Sequence, residues 1–143
     1  MALELTIGTL IISLTVVIHT VGLIGITDLM NWLADRVRPG GHRSRLLAMN
    51  TVVLGIFAVL SVEVWLWAAC YIALGVFDDL HTALYFSTST FSTVGYGDIV
   101  AAEEWRMLAA LESVNGFLLI GWSTAYLVTA SIRVGPFRSG EDF

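Results

Sequence analysis

The stretch Phe91-Ser-Thr-Val-Gly-Tyr-Gly-Asp-Ile-Val100 lies between two strongly apolar segments and has the character of neither. Two glycines, a tyrosine, two hydroxyl side chains and a carboxylate follow one another without helical period. The surrounding chain is 57% hydrophobic and 13% charged. A soluble domain usually needs about 25% charged residues to cover its surface, so these proportions point to a membrane protein.

Leu5 to Ile26 contains no Asp, Glu, Lys or Arg, and about 20 such residues cross the ~30 Å hydrocarbon core as a helix. Glu4 precedes this run, and neither a basic N-terminal flank nor a small-residue cleavage site accompanies it. It therefore reads as a mature helix rather than a signal peptide. A second span is expected from about Leu46 to Leu74, interrupted by Glu63, and a third from about Met107 to Ile132, interrupted by Glu112. Residues 75–105 are too polar and broken to span.

All seven basic residues are arginines. Arg36, Arg38, Arg43 and Arg45 lie between the first two spans, and Arg133 and Arg138 follow the third. Cytoplasmic loops are enriched in basic residues, so the N-terminus is expected outside, residues 75–105 outside and the C-terminus in the cytoplasm. Within the inner loop, the sequence fits either an ordinary polar linker or a separate interfacial helix capped by Thr27 or Asp28, carrying Leu29, Trp32, Leu33 and Val37 on one face and ended by Pro39, Gly40 and Gly41. The lone Cys70 excludes an intrachain disulfide. Nothing points to nucleic-acid binding, and no nucleophile, base and orienting group occur together, so an enzyme is not expected.

Residues 78–92 begin with Asp78 and Asp79 as candidate caps and can form about three helical turns, too few to cross a bilayer. Such a helix must enter and return. The bare backbone that follows it must face protein or water rather than lipid.

Thr93-Val94-Gly95-Tyr96-Gly97-Asp98 is identical to the selectivity-filter motif of potassium channels, and the order helix, short re-entrant helix, TVGYG, helix resembles their two-helix pore module over roughly Leu46 to Ile132. The resemblance implies an all-α membrane protein, with three transmembrane helices per subunit, a re-entrant pore helix and an extended filter, assembled as a homotetramer in the lipid bilayer. It divides the chain into an N-terminal helix and linker (1–45), the pore module (46–132) and a short tail (133–143). It implies passive potassium conduction, with K+ held by the carbonyls of Thr93, Val94, Gly95 and Tyr96 and the Thr93 hydroxyl, because rings of carbonyls replace the water of a dehydrated ion. Gly95 and Gly97 supply backbone angles that a Cβ would forbid. No cofactor is expected beyond K+. The side chains of Val94 and Tyr96 are expected to brace the loop from behind.

By the same resemblance Gly116 falls at a hinge position, for which close helix packing is the alternative, and Phe117, Ile120 and Thr124 face the cavity. Some relatives brace the position of Asp98 with a tryptophan and a glutamate, where this chain has Tyr85 and Ser89. Tyr85 can still reach Asp98, whereas Ser89 cannot replace a carboxylate.

Ionisable residues within spans are costly and need partners. Counting ~1.5 Å per residue puts Glu63 roughly 16 Å, Asn115 about 13 Å and Glu112 about 9 Å below the outer ends. Glu63, in protonated form, is therefore expected to bond Asn115 or a pore-helix hydroxyl and to substitute for the missing brace. His19, with Gly8, Ile12, Thr15 and Gly22 on one face, is expected to pack in neutral form against the second span, with proton sensing as the alternative, and Trp65, Trp67 and Tyr71 to act as interfacial anchors. The acidic Asp78, Asp79, Asp98, Glu103 and Glu104 mark the outer side. Two other functions fit the composition: an ion-conducting subunit of a cation transporter, and a non-conducting regulatory membrane protein. No voltage sensor or ligand-binding domain is visible, which leaves gating to the filter, inner helices, lipid, pH or a separate partner.

Overall fold

The computed structural model describes residues 2–36 and 42–134. Four α-helices and one 3-10 turn make up the regular structure among them: α1 (Ala2–Arg36), α2 (His42–Ala73), α3 (Leu80–Phe91), the turn Glu103–Trp105 and α4 (Arg106–Val134). The expected stop at Pro39-Gly40-Gly41 and the tail after Val134 lie outside the described residues.

One expectation fails at α1. The chain does not pause at Thr27 or Asp28, and the apolar run and the expected interfacial helix form a single helix of 35 residues. The Thr27 hydroxyl donates to the Leu23 carbonyl one turn back, at 2.9 Å, so it serves the helix interior instead of capping a new start. With no glycine or proline between Ile26 and Arg36, nothing in the backbone interrupts the hydrogen-bond ladder.

α2 ends where Gly75 adopts φ 68°. The Val76 amide then reaches the Tyr71 carbonyl at 2.9 Å and the Gly75 amide the Ile72 carbonyl at 3.0 Å, the paired bonds of a left-handed helix cap. α3 starts from Asp79, whose carboxylate accepts the Thr82 amide at 2.9 Å. Asp79 thus provides the cap, and hydrogen bonding from the Thr82 side chain first and its amide second holds the Asp79 carboxyl below the usual carboxylate range. At 12 residues α3 is about 18 Å long, well short of a bilayer crossing.

Two apolar clusters hold the helices together. Leu23, Ile26 and Met30 of α1 pack on Ala48, Val52 and Ile56 of α2, with Tyr126, Leu127 and Ala130 of α4 against them. Around α3, the residues Trp67, Ala68, Tyr71, Ala83, Phe86, Phe91, Leu108 and Leu119 form the larger cluster. α1 and α4 run in the same direction: Gly8 lies against Leu111, Thr15 against Asn115, His19 against Ser123 and Thr27 against Tyr126. The stripe of small and polar residues on α1 therefore faces α4 as well as α2, where Gly22 makes room for Val59.

Among the described residues, two helical segments, Ala2–Leu33 and Arg45–Ala73, are long and apolar enough to cross a membrane. α4 has sufficient length at 29 residues but carries more polar side chains, several of which are buried against its neighbours: Glu112, Asn115 and Ser123.

Candidate functional site

The loop after α3 is built by the end of that helix. An α-helix leaves its last carbonyls without partners, and here the following residues supply them. Thr93 N–H donates to the Thr90 carbonyl at 3.0 Å, and Val94 and Gly95 N–H both donate to the Ser89 carbonyl, at 3.0 and 3.1 Å. The Tyr96 amide faces the Ser89 hydroxyl at 3.4 Å. Four consecutive amides are thus turned toward α3.

Their orientation fixes that of the carbonyls. A trans peptide holds its C=O antiparallel to the N–H of the next residue, and no peptide here is cis. The carbonyls of Ser92, Thr93, Val94 and Gly95 must then point away from α3. No hydrogen bond among the described residues ends on the carbonyl of any residue from Thr93 to Gly97. The backbone alternates to achieve this, with φ 61° at Thr93, 53° at Gly95 and 77° at Gly97, while Val94 and Tyr96 keep negative φ. Alternation of hand aligns successive N–H groups on one side of a chain and successive C=O groups on the other. Space does not impose the glycines, since a Cβ at Gly95 or Gly97 would meet nothing within 4 Å. Backbone conformation does.

Tyr85 on α3 donates to Asp98 Oδ2 at 2.7 Å, and Asp98 Oδ1 accepts the Ile99 amide at 3.0 Å. The Tyr85 hydroxyl is the main cause that holds the Asp98 carboxyl below its ordinary range. Ser89 does not point to Asp98; it gathers amides of the loop instead. Val94 and Tyr96 are 53% and 72% exposed, so within one chain neither is packed. An open cleft of about 310 Å3 separates the loop from α4, lined by Phe86, Thr90, Gly95, Ile99, Arg106 and Ser113 among others.

Behind α3 the buried polar residues pair differently from expectation. Glu63 bonds neither Asn115 nor a hydroxyl of α3: its Oε1 lies 2.9 Å from His19 Nδ1, and Asn115 donates to the Thr15 hydroxyl at 2.9 Å. Glu112 is the carboxyl that reaches α3. Its Oε1 meets the Ser87 hydroxyl at 2.5 Å and its Oε2 accepts from the Tyr71 hydroxyl at 2.6 Å, with all three residues fully buried. Tyr71 and Trp67 are therefore core residues rather than interfacial anchors, while Trp65 is half exposed. Neither Ser87 nor Tyr71 stands out in the sequence by composition, but Glu63, Trp67 and Tyr71 recur every four residues, and that shared face of α2 was the available signal.

Farther along α4, Gly116 passes so close to the end of α3 that a Cβ there would collide with the Phe91 carbonyl. This geometry favours the packing role over the hinge. Phe117 is exposed in the single chain and Thr124 likewise, whereas Ile120 is half buried against α2 and α3. Spaced three and four residues apart on a continuous helix, the three lie on one side of α4, with Ile120 nearest its neighbours.

A family model described as "Ion channel" matches residues 59–133, more than half of the chain, and includes α3, the 93–98 loop and nearly all of α4. The chain belongs to the ion channel family. No curated protein and no solved structure gives a match. The family is one of channels and not of enzymes, and with two helices suited to cross a bilayer this channel is a membrane protein. The match begins within α2, so α1 is an addition to the recognised channel region.

Proposed function

We propose that this channel conducts potassium selectively and passively through a central pore formed by four copies of the chain. The observation that carries this reading is the row of carbonyls from Thr93 to Gly95, directed away from α3 because the intervening amides are held by Ser89 and Thr90. A potassium ion sheds water only where oxygens replace its hydration shell, and one chain offers such oxygens on one side only. Copies related by symmetry around an axis complete the shell. Tyr96 contributes the outermost carbonyl of the row, and the Thr93 hydroxyl the innermost oxygen.

Tetramer formation is further supported by apolar surface that a single chain leaves bare. Phe57, Val94, Tyr96 and Phe117 are each more than half exposed, and the cleft behind the loop is open. α4, polar yet long, would line the aqueous side with Phe117 and Thr124, and α1 and α2 would face lipid. By arginine distribution the N-terminus lies outside and the C-terminus in the cytoplasm. Asp98, held by Tyr85, and Glu112, held by Tyr71 and Ser87, would support the loop from two sides.

The test is ion flux in vesicles containing the purified channel, with subunits counted in the same sample. Potassium flux far above sodium flux from a four-subunit particle is expected. A monomer, or equal flux of the two ions, overturns the reading. Absence of flux from an intact tetramer would favour a non-conducting regulatory protein, and slow, saturable flux coupled to another solute would favour a transporter subunit.

A further inference from the structure

We propose that His19 of α1 is a positioning residue for α4, and that the gain or loss of one proton at the buried His19–Glu63 pair sets the hold of α1 and α2 on α4 and thereby the channel's open probability. The inference rests on the reading that the protein conducts ions, and goes beyond it by giving the added helix a role.

Three helices meet at one imidazole. Nδ1 faces Glu63 Oε1 of α2 at 2.9 Å, Nε2 faces the Ser123 hydroxyl of α4 at 3.4 Å, and the ring lies against Trp122 of α4 with centroids 5.2 Å apart. His19 and Glu63 are fully buried, and Glu63 Oε2 has no hydrogen-bond partner among the described residues. Glu63 is the titratable group that α2 turns to His19. On α4, Ser123 and Trp122 face the ring, and the carboxyl of that helix, Glu112, is engaged by Tyr71 and Ser87. α1 itself brings Thr15, one turn away, which is occupied by Asn115.

Proton counting defines two states. With one proton between Nδ1 and Oε1 and a second on Nε2, the pair is neutral overall, whether written as imidazolium and carboxylate or as imidazole and carboxylic acid. Nε2–H then donates to Ser123. Loss of one proton leaves the remaining one on Nδ1 facing a carboxylate, a net buried negative charge, and Nε2 becomes an acceptor to which Ser123 must donate. Titration thus reverses the hydrogen bond to α4 and leaves a charge that the apolar surroundings disfavour. Because Ser123 sits on the helix whose Gly116 abuts the end of α3, a shift of α4 at this point reaches the loop through direct contact.

The experiment is a pH series of ion flux and single-channel open probability for the full chain and for His19→Gln, Glu63→Gln and Ser123→Ala in vesicles. In parallel, ring 15N NMR of the reconstituted channel follows His19, assigned by its absence in His19→Gln. The wild type should show a one-proton step of roughly 5-fold to 100-fold in open probability, the usual range of such couplings. Its midpoint should coincide with the ring titration. His19→Gln, which keeps a polar side chain without a titrating ring, should remove the step. Ser123→Ala should leave the ring titration and shrink the step. A step of unchanged midpoint in His19→Gln, or a ring that titrates without any step, overturns the proposal. Should His19→Gln fail to assemble, Ser123→Ala decides by the same comparison. Absence of flux at every pH would instead strike at the conduction reading, while the ring titration would still report whether Ser123 senses the proton.

Discussion

Ser87 on α3 and Glu112 on α4 approach to 2.5 Å between oxygens, and the same Ser87 hydroxyl lies 3.0 Å from the Val64 carbonyl on α2. The carbonyl brings no proton, so the single Ser87 proton serves one of these neighbours, and both bonds are complete when Glu112 supplies the other. A protonated Glu112 also avoids a bare charge at a fully buried position. Three helices are joined at this point.

Glu112→Gln should therefore retain the assembly, since an amide offers both a donor and an acceptor. Glu112→Ala leaves the Tyr71 hydroxyl buried without its acceptor, at a cost of about 1–3 kcal/mol. Thermal unfolding in detergent checks the difference. A carboxylic acid C=O infrared band lost in Glu112→Gln checks the proton.

Gly116→Ala places a methyl group against the Phe91 carbonyl, in backbone that cannot swing aside as a side chain can. We expect destabilisation of about 1–3 kcal/mol and disturbed conduction. Gly121→Ala, where a Cβ meets nothing within 4 Å, should leave the stability of the chain unchanged or raise it by up to about 1 kcal/mol. Equal tolerance of both substitutions would remove the packing argument.

Tyr85→Phe tests the outer support. The bond from Tyr85 depresses the Asp98 carboxyl below its reference value of 3.8, so its contribution is complete above that value and fades only as pH falls through the depressed one. Removal of the hydroxyl should move the Asp98 midpoint upward, read by carboxyl 13C NMR, and should alter inactivation at neutral pH, where the lost bond was fully formed. An unmoved midpoint would show that the bond does not form in the working channel.

Gly95→Ala tests the loop. No neighbour obstructs a methyl group, so the penalty is the positive φ alone, about 1–2 kcal/mol. That is too little to disperse the assembly, yet enough to turn a carbonyl. Flux should be lost while the oligomer persists.

The positions of α2, α3 and α4 were legible because span length and the Asp79 cap are local signals, and these three helices end within two residues of the expected places. The orientation of the loop amides toward α3 follows from the same local logic, as the end of a helix must find donors. α1 was legible as a span but not as one unbroken helix, because a threonine that could cap also satisfies itself within a helix.

The sequence by itself thus determined which segments are helical and which backbone stretch must twist, and it set an expected depth for Glu63, Glu112 and Asn115. Only the tertiary structure decided that Glu63 answers to His19, Asn115 to Thr15, and Glu112 to Tyr71 and Ser87. Depth comes from the fixed rise per residue along one chain, but partnership depends on how each helix is rotated about its axis and which helix stands beside it. Those angles are set by packing among all four helices at once, through contacts such as Gly22 with Val59 and Gly116 with Phe91.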